Sequence, residues 1–187
     1  MRKGNWASRD QANATDLMGK NLGLVGYGRI GKCLARMAGK GFEMNVYVYD
    51  PYASKEDVEK DGYIWCEKIE DLLPLVDVLS PHVPLTPETR GIIGEKEMKK
   101  MKEGSFIINY ARGGVVDEKA LYENLVSGHI KGAALDTFEV EPPDKEENPL
   151  FQLDSVIFSP HCATFTEDSR RRMSMRLAQE IEKTIGE

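Results

Sequence analysis

The feature that most constrains the fold of this 187-residue chain is a regular alternation of short apolar runs with longer amphipathic segments. Short apolar runs bounded by turn residues are typical of strands buried on both faces, as in a parallel sheet. Strands that alternate with helices favour right-handed βαβ crossovers. The sequence therefore predicts an α/β fold with a doubly wound parallel sheet, whose seven strands lie at 22–25, 46–49, 63–65, 76–80, 106–108, 132–135 and 156–158.

The segments between these strands repeat apolar residues at helical spacing. In the first of them, Ile30, Leu34, Met37 and Ala38 follow one another at this spacing. Further helices are predicted around 69–73, around Met98, and at 120–125 and 166–185, and the polar residues 2–18 could form another. We expect a helix or linker over 1–19, a doubly wound domain over 20–165 and a C-terminal helix over 166–187.

Composition excludes several classes of function. The chain has 25 Lys and Arg against 31 Asp and Glu, a net charge of -6, so we expect no nucleic-acid partner. No apolar stretch approaches the roughly 18 residues of a spanning helix, and the N-terminus lacks the apolar region of a secretory signal. The three cysteines, Cys33, Cys66 and Cys162, predict neither a disulfide framework nor a metal site. We expect reduced thiols in a cytoplasmic protein without a membrane partner.

A G-x-G-x-x-G pattern follows the first predicted strand and opens the first predicted helix. Gly26 permits a tight turn, Gly28 lets the backbone approach a pyrophosphate, and Gly31 lets helix and strand pack closely. The helix N-terminus then offers free N–H groups to the phosphates. The alternative is a glycine-rich turn of the kind found in many α/β proteins.

Asp50 lies at the end of the second predicted strand, 19 residues after Gly31. A carboxylate there accepts hydrogen bonds from a ribose diol and repels a 2'-phosphate, which favours NAD over NADP. The alternative is a strand-ending turn residue before Pro51.

Polar clusters follow the last three predicted strands, where doubly wound sheets bind ligands. Arg112 offers planar donors for a carboxylate, although a surface salt bridge would also account for it. The acids from Asp136 to Glu141 could bind a ligand or form a solvated loop. His161 is a candidate acid or base because imidazole is the side chain most often used for proton transfer, with a structural histidine as the alternative.

The chain resembles the D-isomer-specific 2-hydroxyacid dehydrogenases, which include phosphoglycerate, hydroxypyruvate/glyoxylate and D-lactate enzymes. The resemblance follows the family's order of motifs across nearly the whole chain. It covers 26–31 with Asp50, 80–91, 108–117, 132–142 and 159–161.

The resemblance implies a role for each matching residue. Arg112 would hold the substrate carboxylate, His161 would be the general acid or base, and Glu141, rather than Glu139, would pair with His161. His161 as imidazolium would protonate the C2 oxygen of a 2-keto acid while Arg112 stabilises the growing charge. Asp136 would lie near the nicotinamide carboxamide. The other residues implied to contact the cofactor are Arg29, Ile30, Val83, Pro84, Thr89, Tyr110, Ala111 and Ala163, together with Arg112 and His161.

The family's fold is a Rossmann-type NAD-binding domain joined to a substrate domain, of which about 100 residues or more would be absent from this chain. The resemblance thus implies NAD as cofactor, a small 2-hydroxy or 2-keto acid as substrate and a homodimer formed through the cofactor domain. The implied reaction is hydride transfer between NAD(H) and that acid, whose identity the sequence leaves open. The alternative is an NAD-binding module without turnover, acting as a cofactor sensor or interaction module.

Overall fold

The computed structural model describes residues 14–185. Seven parallel strands form a single sheet in the order β3-β2-β1-β4-β5-β6-β7, which confirms the predicted doubly wound architecture. The strands are β1 (Asn21–Val25), β2 (Asn45–Tyr49), β3 (Ile64–Trp65), β4 (Val78–Pro81), β5 (Ser105–Asn109), β6 (Ile130–Leu135) and β7 (Val156–Phe158).

Six α-helices accompany the sheet within residues 14–185. They are α1 (Arg29–Arg36), α2 (Lys55–Lys60), α3 (Ile69–Leu72), α4 (Glu95–Lys100), α5 (Glu118–Val126) and α6 (Glu167–Ile185). A π-helical turn, Met37–Gly41, extends α1, and 3₁₀ turns lie at Leu73–Leu75 and Pro149–Gln152. None of the described helices is long and apolar enough to cross a membrane.

Two parts of the predicted helix pattern are wrong. Residues 14–17 are irregular and lead into a turn at Met18 and Gly19, so the helix predicted over 2–18 is absent there, while 2–13 lie outside the described residues. The short helix α2 was not predicted, because Val58 is its single buried side chain and leaves no apolar period to detect. Its start is set by Ser54, whose side chain accepts a hydrogen bond from the Asp57 N–H.

Two apolar cores lie on opposite faces of the sheet. On one face, α1 and α2 cover β1 and β2 with a core that includes Leu24, Val48 and Val58. On the other face, α3, α4 and α5 cover the sheet with a larger core that includes Leu79 and Ile107. Both cores lie beneath the turns at the carboxyl ends of the strands, so the candidate residues stand on a rigid base.

Small residues bring α1 close to the sheet. Its buried positions are Gly31 and Ala35, followed by Ala38 in the π-helical turn, whereas Ile30 and Met37 are exposed. Of the four residues that predicted the apolar face of α1, Leu34 and Ala38 pack against the core, whereas Ile30 and Met37 do not. A Cβ on Gly31 would lie 2.3 Å from the Gly26 carbonyl oxygen, so a larger side chain would push the helix off the strand.

The face of β4–β7 opposite the larger core has little cover within residues 14–185. The crossover helices of these strands lie on the other face, which leaves Phe106 and Ile108 only partly buried and Ile157 70% exposed. A groove of about 720 Å³ runs along this face, lined at one end by residues 14–17. Helix α6 also has no buried residue.

We expect two isoleucines of the sheet to respond differently to truncation. Ile107 is fully buried and Ile157 is 70% exposed, so Ile107→Ala should lower the free energy of unfolding by about 2–5 kcal/mol. Ile157→Ala should change it by less than about 1 kcal/mol, since few contacts are lost. Urea unfolding followed by circular dichroism measures both. Equal losses would contradict the open face.

Candidate active site

The candidate residues gather at one edge of the sheet because all seven strands run in the same direction. The loops that leave the carboxyl ends of six of the seven strands, all except β3, carry parts of the site. The glycine turn follows β1, Asp50 follows β2 and the 82–91 segment follows β4. Arg112, Glu141 and His161 lie on the loops after β5, β6 and β7.

Two of the three glycines in the motif are required by the fold. Gly26 has φ +107°, and a Cβ there would lie 2.9 Å from the His82 carbonyl oxygen. Gly31 is held against Gly26 as described above. Gly28 differs, because its φ of -72° suits any residue and a Cβ would meet no atom within 4 Å. The protein itself therefore gives no reason for a glycine at position 28.

Asp50 fixes the glycine turn from the end of β2. Its Oδ2 accepts a hydrogen bond from the Tyr27 N–H at 2.7 Å, and its Oδ1 accepts one from the Tyr52 N–H at 2.8 Å. Asp50 therefore does stabilise the turn at the end of the second strand, as the alternative interpretation of this residue expected. A carboxylate has about four acceptor positions, so these two bonds leave capacity for a ribose hydroxyl.

The segment after β4 is stiffened by its own hydrogen bonds. Thr89 donates through Oγ1 to the Pro84 carbonyl at 2.6 Å, which closes the loop beside the half-buried Val83. Ser80 donates to the Ile108 carbonyl, so its oxygen accepts the bond from His82 Nε2 at 3.1 Å. Burial lowers the pKa of His82, in keeping with a structural role.

Asn109 shapes the loop that carries Arg112. Its side chain accepts from the Ala111 N–H at 3.1 Å and donates to the Arg112 carbonyl at 3.0 Å. A Cβ on Gly113 would lie 1.7 Å from the Phe138 carbonyl oxygen, so only glycine fits between the two loops. The Arg112 side chain is exposed, and within the described part of the chain it forms no salt bridge.

Glu141 and His161 form a direct pair. His161 Nδ1 lies 2.8 Å from Glu141 Oε2, and Glu141 Oε1 accepts a bond from the Phe138 N–H at 3.0 Å. The hydrogen bond from His161, followed by that from Phe138, holds the pKa of Glu141 below its usual 4.5. Glu139 points elsewhere and accepts from the Glu118 N–H.

Asp136 anchors the loop that carries His161. It accepts hydrogen bonds from Ser159 Oγ at 2.6 Å, the Cys162 N–H at 2.9 Å and the Ala163 N–H at 3.0 Å. Burial opposes its ionisation, but these bonds outweigh burial and keep the pKa of Asp136 below its usual 3.8.

The other predicted cofactor residues border the same edge with different exposure. Arg29 and Ile30 open α1 with exposed side chains, while Ala111 is buried and Tyr110 is 39% exposed. Pro84 and Ala163 are exposed. Sequence reasoning missed the clamping roles of Asn109 and Ser159, although both lie in motifs at strand ends.

Comparison with known proteins gives the family of this chain. The family described as D-isomer specific 2-hydroxyacid dehydrogenase, NAD binding domain, matches residues 1–163. The chain belongs to this family. A solved structure described as a D-isomer specific 2-hydroxyacid dehydrogenase, from Polaromonas, shares this fold with a TM-score of 0.89 at 30% identity.

Individual relatives cover almost all of this chain. It is 44% identical to the D-3-phosphoglycerate dehydrogenase of Methanocaldococcus jannaschii over 99% of its own length and 34% of the relative's. It is 40% identical to the hydroxypyruvate reductase of Thermotoga maritima, with coverage of 100% and 59%. The apo structure of Rhodotorula graminis D-mandelate dehydrogenase matches with a TM-score of 0.88 at 29% identity, over 97% of this chain and 54% of that one. The chain thus spans between about a third and three-fifths of these proteins.

The decrease in the free energy of unfolding at acid pH should depend on Glu141. A carboxyl with a lowered pKa in the folded state stabilises above its unfolded pKa and loses this contribution as pH falls through the folded value. We expect the free energy of unfolding to drop less steeply below pH 4.5 in Glu141→Gln than in the unchanged chain. Urea titrations at several pH values measure this slope. Glu139→Gln is the control in the same loop, and an equal flattening by both variants would contradict the assignment.

Proposed function

We propose that this chain is the cofactor half of an oxidoreductase that transfers hydride between NAD(H) and a small D-2-hydroxy acid or its 2-keto acid. The observation that carries the proposal is the Glu141–His161 pair, a proton donor and its partner, at the same sheet edge as the glycine turn. Family membership supports the cofactor and the class of reaction.

Gly28 supports a bound pyrophosphate. Since the fold would accept a side chain there, the remaining reason for glycine is the close approach of a ligand to the backbone. The free N–H groups at the start of α1 point toward the same place and favour phosphate oxygens. Arg29 and Ile30 would then contact the pyrophosphate, and Asp50 would accept from the adenosine ribose. Val83, Pro84, Thr89, Tyr110, Ala111 and Ala163 would line the rest of the cofactor.

The reacting end is formed by three loops. Bound NAD(H) supplies the hydride that moves to or from C2 of the substrate. During reduction His161 gives a proton to the C2 oxygen, while Glu141 holds the ring by Nδ1 and favours its charged form. Arg112 binds the substrate carboxylate and stabilises the negative charge that grows on the oxygen. Asp136 fixes the His161 loop and borders the nicotinamide.

The proposal also includes the organisation of the protein. Residues 20–165 form the cofactor domain, and α6, which has no buried residue within the described part of the chain, returns to a substrate domain. The family resemblance supports a homodimer through the cofactor domain, and the three free, widely spaced cysteines favour a cytoplasmic location. The substrate is a small 2-hydroxy or 2-keto acid, in line with the names of the relatives.

A side chain at position 28 should weaken cofactor binding and leave the fold intact. Serine is a good N-cap residue and suits the backbone there, so Gly28→Ser should keep the melting temperature of the chain. Its hydroxymethyl group would occupy the space of the pyrophosphate, and we expect NADH affinity to fall by about tenfold or more, the loss of one good contact. NADH fluorescence titration measures the affinity. Gly41→Ser, also in open space, is the control and should bind NADH as the unchanged chain does.

Removing the proton donor should remove turnover. NADH oxidation is followed with hydroxypyruvate, glyoxylate, pyruvate and phosphohydroxypyruvate, and His161→Ala should lower kcat by about 10²–10⁴-fold. His129→Ala is the control, because its ring bonds the Met98 carbonyl away from the site. Unchanged turnover in His161→Ala would overturn the proton-donor role. NADH binding without oxidation of any substrate by the unchanged chain would support the alternative, an NAD-binding module.

A further inference from the structure

We propose that Tyr110 is a positioning residue that acts through Ser159 on the loop carrying His161. The inference rests on the proposed function for the importance of His161, while its geometry stands independently. Tyr110 follows β5 and Ser159 follows β7, so their contact joins two loops across the intervening end of β6.

The direction of the hydrogen bonds follows from counting protons. Ser159 has one hydroxyl proton, and Asp136 as a carboxylate can only accept, so Ser159 donates to Asp136 at 2.6 Å. The angles at the 3.2 Å contact between Ser159 Oγ and the Tyr110 hydroxyl suit the serine as donor. Because Asp136 already takes the single serine proton, we infer that the tyrosine proton turns toward the serine oxygen instead. A chain of two hydrogen bonds therefore runs from Tyr110 through Ser159 to the carboxylate that anchors the loop. Charged acceptors strengthen such chains.

The loop needs this support because its backbone is unusual at His161. The residue has φ +48°, a left-handed conformation that costs free energy for a side chain larger than glycine. Glu141 holds the imidazole at Nδ1, while Asp136 holds the neighbouring backbone through Cys162 and Ala163. Tyr110 restrains the serine that begins this turn.

The hydroxyl of Tyr110 forms no other hydrogen bond in the described structure. Its side chain is 39% exposed, and Ser159 is its sole hydrogen-bond partner within residues 14–185. Global folding therefore gains little from the hydroxyl. Its effect should be local, on the position and order of the His161 loop.

Hydrogen exchange tests this on the intact chain without cofactor or substrate, so the outcome does not depend on turnover. The amides of Cys162 and Ala163 report directly, because both donate to Asp136. In Tyr110→Phe we expect both amides to exchange about fivefold faster, the ratio that one neutral hydrogen bond gives, with an unchanged melting temperature. Tyr122→Phe is the matched control, since its hydroxyl has no hydrogen bond within residues 14–185. It should leave both rates unchanged.

A double-mutant cycle tests whether Tyr110 acts through Ser159. Ser159→Ala alone should speed exchange more than Tyr110→Phe, because it removes a bond to Asp136. Adding Tyr110→Phe to Ser159→Ala should then change nothing further. The same fivefold increase in both backgrounds would overturn the proposal, as would unchanged rates in Tyr110→Phe or a uniform rise across all amides.

The imidazole signals give a readout that loss of general stability would not move. The chain has three histidines, so ¹⁵N-histidine spectra are simple, and His161→Asn identifies the third signal. Tyr110→Phe should shift the ring resonances of His161 and leave those of His82 and His129 in place. Shifts of all three, or of none, would contradict a positioning role.

Discussion

The turn between β1 and α1 can form only because two glycines allow close contacts between backbone segments. Gly26 takes φ +107° against the His82 carbonyl, and Gly31 lies against Gly26. This contact sets the distance of α1 from the sheet and the direction of its free N–H groups. It also places Tyr27 where its N–H meets Asp50 at the end of β2. The phosphate end of the site is therefore a consequence of close packing.

Two aspartates at strand ends fix neighbouring loops by hydrogen bonds, one at each end of the site. Asp50 follows β2 and accepts one N–H of the glycine turn, from Tyr27, and one of its own loop, from Tyr52. Asp136 follows β6 and accepts two N–H groups and a hydroxyl of the His161 loop. Each carboxylate fixes a neighbouring loop and remains at the edge where a ligand would lie. A structural role and a binding role are thus compatible for both residues.

The sequence was sufficient for the parts of the fold that depend on local pattern. Short apolar runs located all seven strands, and glycine spacing located the turn. Helix α2 was missed because it buries Val58 alone, and the buried face of α1 was misjudged because alanines and a glycine form it. At the site, Ser159 bonds Asp136 from 23 positions away and Tyr110 from 49. Such contacts depend on which strands are neighbours, and no local pattern records them.

Glu141 and Asp136 form their hydrogen bonds with neighbouring loops, and neither forms a salt bridge with Arg112 within residues 14–185. Both oxygens of Glu141 are occupied, one by His161 and the other by the Phe138 N–H. Asp136 is likewise satisfied by the loop that it anchors. Arg112 donates through Nη1 to the Ala111 carbonyl at 2.6 Å. The other N–H groups of its guanidinium remain for a carboxylate brought from outside, as the 2-hydroxy and 2-keto acids of the proposed reaction would supply.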